Sequence, residues 1–374
     1  MENSQIVQDF LQLVQLEVHS RNERKLADVL KVKLTELGLS VEEDETAAKV
    51  GGNTGNLIAR LPGRSHLPAV LLSAHMDRVS NNGNIRPVIH PAEGIITSDG
   101  KSILAADDVA GICVILDGLR RVRDGGFEHG DVEVAFSVCE EQGVLGARYF
   151  DFSRFTSRMA FVFDAPGRIG RIVNQAPAKC KIKAVVHGRS AHAGNEPEKG
   201  LSAVRVAAAV IQQLQEGRIS PRTTANFGSI HGGSGTNVVC NRVEIVGEAR
   251  STDSGELKRY LEQVKTVTAA VASSHQTTID LDIETLYETF LVPESSVVAG
   301  VAREAMCGLG LEAWFARGGG GMDGNHFNQH GIETIGLAIG YSKNHTLEEQ
   351  IFIADLIKGG ELAAEIVRTA ARTA

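Results

Sequence analysis

Read as a string of apolar and polar positions, the chain opens with helical periodicity over residues 4–37, which Gly38 brings to a stop. Two apolar runs, 57–61 and 69–73, then read as strands parted by Pro62-Gly63. Residues 106–123 predict a helix with a buried face, and 132–138 a strand. A further strand, 159–163, leads straight into Asp164. Strands alternating with helices at this spacing predict an α/β sheet.

The pattern changes near Gln175. From 179 to 286 it runs strand (180–186), helix (200–215), strand (225–230), strand (243–249), helix (254–272), strand (279–286). That β-α-β-β-α-β order is the split βαβ arrangement of a small ferredoxin-like α+β domain. After Pro293 the chain returns to helix, glycine-rich loop, strand and helix. The expectation is one discontinuous domain, 1–176 with 291–374, interrupted by an inserted domain at 177–290.

A length of 374 residues also favours two domains over one core. The net charge of -8 argues against nucleic acid or a membrane surface as partner. No apolar run reaches the roughly 18 residues of a membrane span. The start, Met1-Glu2-Asn3-Ser4, carries no signal-like segment, so a cytoplasmic location is expected. Five cysteines without a Cys-x-x-Cys pair suit buried, reduced thiols. Cys139 is a poor nucleophile candidate, because its neighbours supply acids and no base.

Chemistry-bearing residues fall where strands and loops end. His75 and Asp77 close an apolar run, with Asp77 placed to fix the imidazole. Asp107-Asp108 stand at a helix start, where capping accounts for Asp108 but not for Asp107 behind an apolar approach. Glu140-Glu141 end a buried strand, and two such carboxylates repel unless something positive is present. Asp164 ends another strand, where a salt bridge or a cation must offset its burial. His345 lies in the polar loop Lys343-Asn344-His345-Thr346. Each alone has a structural explanation; together they suggest two histidines and three carboxylates, a composition suited to a two-zinc site.

The order His75-Met76-Asp77, Ala106-Asp107-Asp108, Glu140-Glu141, Asp164, Asn344-His345-Thr346 resembles metallopeptidase family 20. The resemblance extends to Gly188-Arg189-Ser190-Ala191-His192-Ala193-Gly194 and to Gly320-Gly321-Met322-Asp323-Gly324-Asn325, and so to nearly the whole chain. Around Ser98-Asp99-Gly100 and 104–112 the wording is nearest the peptidase T-like branch. It implies a zinc-exopeptidase-type sheet flanked by helices, with the inserted domain serving as dimerisation or lid domain. It also implies an exopeptidase of the tripeptide aminopeptidase type, using a metal-bound hydroxide on short peptides.

By the same resemblance His75, Asp107 and Asp164 bind one divalent ion, while Asp107, Glu141 and His345 bind the other. Asp77 orients His75, and Glu140 is the general base. Zn2+ is the first expectation for both ions, with Co2+ or Mn2+ as alternatives. His192, Asn237 and Arg250 match substrate-contacting positions, and the implied assembly is a homodimer through the inserted domain. A strand-end surface arginine is an equal reading of Arg250. Arg78 and Val109 depart from the pattern, standing where relatives often have Thr and Lys. A carboxypeptidase or an N-acyl-amino-acid amidohydrolase would use the same metals, since specificity lies in pocket shape.

Overall fold

The computed structural model describes residues 4–79 and 84–373, so residues 1–3 of the polar amino terminus lie outside the described part. The chain forms two compact units: one runs to Ala176 and resumes at Phe290, and the other is Pro177–Thr289.

The first unit is built on a mixed sheet. From edge to edge its strands are Ser40–Glu43, Leu57–Leu61, Val132–Ser137, Val70–His75, Met159–Ala165, Glu333–Ala338, Arg171–Ala176 and Phe290–Leu291. Trp314–Arg317 also pairs with Arg171–Ala176. The central strands Val132–Ser137, Val70–His75, Met159–Ala165 and Glu333–Ala338 are mutually parallel. Val70–His75 and Val132–Ser137 are buried along their whole length, as strands covered on both faces are. From Val70–His75 the chain goes first to the neighbour on one side and later to the neighbour on the other. Such a switch point opens a crevice outside the carboxyl ends of the strands, the usual ligand site of α/β sheets.

The helix between the first two of those strands, Ala106–Gly125, is buried over most of its surface. Small residues let it lie close to its neighbours. A Cβ on Gly118 would stand 2.6 Å from that of Ala363 in the helix Ile353–Ala370. A Cβ on Gly111 would stand 2.2 Å from the carbonyl oxygen of Phe163, immediately before Asp164. Gly111→Ala is therefore expected to destabilise the protein by about 1–3 kcal/mol, the usual cost of overpacking. The check is the urea unfolding midpoint at constant m-value, and an unshifted midpoint would contradict the close approach.

Two features depart from the sequence reading. The periodicity over 4–37 is divided into two helices, Gln5–Leu13 and Arg24–Glu36. Between them Arg21 takes a φ of 72°, and the buried Glu23 carboxylate accepts the amides of Arg21 and of distant Cys139. Tertiary hydrogen bonding thus interrupts a pattern that is continuous in sequence. There is also a small antiparallel sheet of Tyr341–Ser342, Gln350–Phe352, Ile95–Ser98 and Pro87–His90. Its strands are too short for alternation to register, yet it presents residues 343–349 as the loop of a hairpin.

The second unit is an antiparallel sheet in the order Gly217–Ser220, Thr223–Gly232, Arg242–Ser251, Ala178–His187, Ile279–Tyr287. Helices Ala203–Gln213 and Ser254–Ser274 bury Val206, Val210, Leu257 and Val264 against Ile182, Val186 and Ile245. Without the short Gly217–Ser220 edge strand, the strands stand in chain order 2-3-1-4, the ferredoxin-like arrangement expected from the sequence. The cysteines are free thiols: Cys113, Cys139 and Cys180 are buried as expected, but Cys240 is half-buried and Cys307 exposed. Cys307 falls in the last turn of Val297–Gly308, away from its buried face. No described helix is long and apolar enough to cross a membrane.

Candidate metal centre

The carboxyl ends of the parallel strands carry the site. His75 is the last residue of Val70–His75, Glu140 and Glu141 follow Val132–Ser137, and Asp164 stands near the end of Met159–Ala165. Asp107 enters from the start of the buried helix and His345 from the tip of the small-sheet hairpin. All these expected ligands lie in the first unit, and the fold brings them together.

Asp107 is the centre of the arrangement. Its Oδ1 lies 3.1 Å from His75 Nε2 and its Oδ2 lies 3.2 Å from His345 Nε2, so one carboxylate faces an imidazole on each side. His75 Nε2 is also 3.8 Å from Asp164 Oδ1, and His345 Nε2 is 2.8 Å from Glu141 Oε1. Among the described residues the buried Glu141 Oε1 has no other donor than this imidazole. Ligand atoms of His75, Asp107 and Glu141 lie within 4.8 Å of one another, as do those of His75, Glu140 and Asp164. The second group contains Glu140, which the sequence reading reserves for proton transfer.

The neighbouring aspartate has a different task. Asp108 Oδ1 accepts the amide of Gly111 and its Oδ2 accepts the amide of His75, so it caps the helix and ties it to the strand. The Asp107–Asp108 peptide is cis. Asp77 lies just beyond its strand. Its main-chain oxygen is 2.9 Å from His75 Nδ1, while its carboxylate Oδ1 is 3.4 Å away. The carboxylate accepts the amides of Glu140 and Glu141 at 2.8 and 3.3 Å, and the Ser20 hydroxyl at 2.6 Å. Asp77 therefore orients the histidine partly through its backbone and also anchors the Glu140-Glu141 turn.

The electrostatics show how much negative charge is gathered here. Burial pushes Glu140 and Asp164 well above the usual carboxylate range. Neighbouring carboxylates add to the effect, while His75 opposes it. Asp107 goes the other way: burial would raise it, but the hydrogen bonds from His345 and His75 hold it below the ordinary value. His345 is pushed up to about 10 by Asp107 and Glu141. Burial would lower His75, but Asp107 and Asp77 raise it, so the site favours positive charge where divalent ions would sit. Two imidazoles and several carboxylates form a donor set that suits such ions.

Several residues of the site were not picked out from the sequence. Tyr341 donates its hydroxyl to Asp164 Oδ1 at 3.0 Å, and Asn344 Nδ2 donates to Asp107 Oδ2 at 2.8 Å. Asp323 lies under two strand ends, accepting the hydroxyls of Ser137 and Ser73. Burial lifts it to about 6. Glu349 receives the amides that open the Asp107 helix. The signal available for Asp323 was its place in the glycine-rich motif, and for Glu349 an acid just ahead of the buried Ile351; Ser20 carried none. Arg78 is buried and donates to the carbonyl of Val14, so it braces the backbone after the first helix.

His192, Asn237 and Arg250 belong to the second unit. His192 and Asn237 occupy adjoining loops: Ala193 donates its amide to the Asn237 carbonyl, and His192 Nδ1 accepts the amides of Gly194 and Asn195. Both side chains are exposed. Arg250 stands at the other end of its strand beside Lys179, with its Nε 2.7 Å from Glu248 Oε1.

Comparison with known proteins bears on the family and the fold. Residues 176–276 match the model described as a peptidase dimerisation domain, and residues 56–186 match that of peptidase family M28. YqjE of Bacillus subtilis is 34% identical over 372 residues, covering 100% of both chains. The aminopeptidase PepT of Bacillus cereus superposes with a TM-score of 0.87 at 36% identity, covering 98% of each chain. A Staphylococcus aureus tripeptidase does so with a TM-score of 0.91 at 34% identity, again over 98% of each chain. The chain belongs to metallopeptidase family 20, in its peptidase T-like branch. Within that family it carries the expected α/β sheet and the dimerisation-type insertion.

Proposed function

We propose that this protein is a metal-dependent exopeptidase that removes one residue from short peptides, as a tripeptide aminopeptidase does. The observation that carries the reading is Asp107, whose two oxygens each face an imidazole at the switch point of the sheet. In this reading His75, Asp107 and Asp164 hold one divalent ion, and Asp107, Glu141 and His345 the other. Zn2+ is the first candidate, and Co2+ or Mn2+ suit the same donors. Bound there, the pair would polarise the scissile carbonyl and lower the pKa of a water towards about 7.

The chain's own residues supply the rest. Glu140 takes a proton from the attacking water and returns it to the leaving amine. The Asp77 carboxylate holds its backbone amide for that task. Tyr341 holds Asp164 by its hydroxyl. His192 and Asn237, in adjoining exposed loops, contact the substrate of a partner subunit, and Arg250 offers a planar fork to a peptide carboxylate. The inserted unit serves as lid and as the contact of a homodimer. A reducing compartment, the cytoplasm, suits five free cysteines.

The test is a metal-reconstituted substrate panel. The protein is stripped with a chelator, reloaded with Zn2+ or Co2+, and offered free tripeptides, amino-blocked dipeptides and acetylated amino acids. Expected are loss of activity on stripping, recovery on reloading, and cleavage of the unblocked tripeptides alone, with the amino-terminal residue released. Hydrolysis of the blocked compounds would move the assignment to the carboxypeptidase or amidohydrolase alternative. Full activity after exhaustive stripping would end the metal reading.

A further inference from the structure

Glu349 is wholly buried, and the residues it touches belong to two loops that meet only in the folded chain. Its Oε2 accepts the amide of Ala105 at 2.6 Å and its Oε1 accepts the amide of Asp107 at 3.2 Å. The intervening Ala106 amide faces the same carboxylate. Ala105 has a φ of 61°, and Asp107 and Asp108 depart from helical dihedrals, so these amides curl into a concave nest ahead of the regular helix that follows from Val109. Such a nest of backbone amides favours acceptor oxygens. Here the carboxylate oxygens of Glu349 fill that nest, while Asp108 caps the regular helix beyond it.

The other end of the strut is as specific. The Glu349 amide donates to the carbonyl of Thr346, closing the turn that contains Asn344 and His345. Both of those residues reach back to Asp107 Oδ2, at 2.8 and 3.2 Å. One side chain thus fixes the backbone under Asp107 from below, while its own loop grips the Asp107 carboxylate from the front.

We infer that Glu349 is a positioning residue for the ion pair, setting the bridging carboxylate of Asp107 against His345. The inference rests on the proposed role of Asp107 and His345 as ligands, and it assigns Glu349 no contact with ions or substrate. A strut beneath a shared ligand affects both ions together. Removing a ligand of one ion alone, such as Asp164, affects chiefly one.

The test is Co2+ titration of the stripped protein, followed by visible absorption and by calorimetry, for the parent, Glu349→Gln, Glu349→Asp and Asp164→Asn. Glutamine keeps one acceptor oxygen but turns an amide donor towards the second backbone N–H. In Glu349→Gln both uptake steps are expected to weaken by about 10–100-fold, as for other residues that orient metal ligands. The Co2+ absorption bands should shift, while the far-UV circular dichroism of the stripped protein stays parental. Glu349→Asp keeps the carboxyl group but falls a methylene short, so it should show a smaller weakening in the same direction. If Glu349→Gln does not fold, Glu349→Asp decides. Parental affinities and spectrum in the folded variant, or weakening of a single step as in Asp164→Asn, overturn the inference. A parent chain that takes up no Co2+ would instead overturn the ligand reading beneath it.

Discussion

Asp107→Asn is expected to lower turnover by about 10³-fold or more and to weaken the uptake of both divalent ions, since in the proposed site this carboxylate would serve both and its charge would be worth several kcal/mol. The geometry makes this residue different from its neighbour. Both oxygens of Asp107 face imidazole nitrogens, and Oδ2 also accepts from Asn344. Asparagine has the same shape but only one acceptor. Whichever way its amide turns, an N–H₂ would face His75 on one side or His345 and Asn344 on the other. Asp108, with backbone amides on both oxygens, belongs to the scaffold instead. Metal content by plasma mass spectrometry, together with tripeptide turnover, measures both effects. A variant holding two ions and turning over within tenfold of the parent would remove Asp107 from the centre of the mechanism.

Glu140→Ala should behave in the opposite way towards metal. The expected outcome is a fall in turnover of about 10²–10⁴-fold, the usual contribution of a positioned acid–base group, with both ions retained. The backbone at this position is held by Asp77, whose carboxylate accepts the Glu140 amide at 2.8 Å, so truncation leaves the turn in place. The ligands assigned to the two ions, His75, Asp107, Asp164, Glu141 and His345, are untouched. KM should change little, because the loss concerns a proton moved in the transition state rather than ground-state binding. Glu140 also lies within ligand distance of His75 and Asp164, which makes the experiment discriminating. Loss of an ion alongside the loss of rate would identify Glu140 as a ligand. Near-parental turnover at full occupancy would deny it the role of base.

Much of this centre is legible in sequence because its residues stand at the ends of apolar runs. A carboxylate that terminates a buried strand must be compensated, and three of these residues, Glu140, Glu141 and Asp164, stand at or just past such a strand end, as His75 does with its imidazole. The inserted ferredoxin-like unit was legible for a similar reason, its strands and helices being long enough for periodicity to tell them apart. The amino-terminal helices were read as one because nothing local marks the Glu23 turn, whose partner Cys139 lies 116 residues away. The small sheet escaped for want of length, and with it the reason His345 is held at a hairpin tip.

By itself the sequence determined the donor types, their order, the α/β class and the place of the insertion, all of which follow from local pattern and side-chain chemistry. Asp107 was already set apart from Asp108 in the sequence; only the tertiary structure decided that Asp77 holds the Glu140 turn and that Glu349 closes the backbone ahead of the helix. Those assignments depend on which groups meet across more than 200 residues of chain in the case of Glu349, and on which way a buried carboxylate turns in the case of Asp77. Packing and the demand that every buried amide find an acceptor settle such questions, and neither leaves a periodic trace in the sequence.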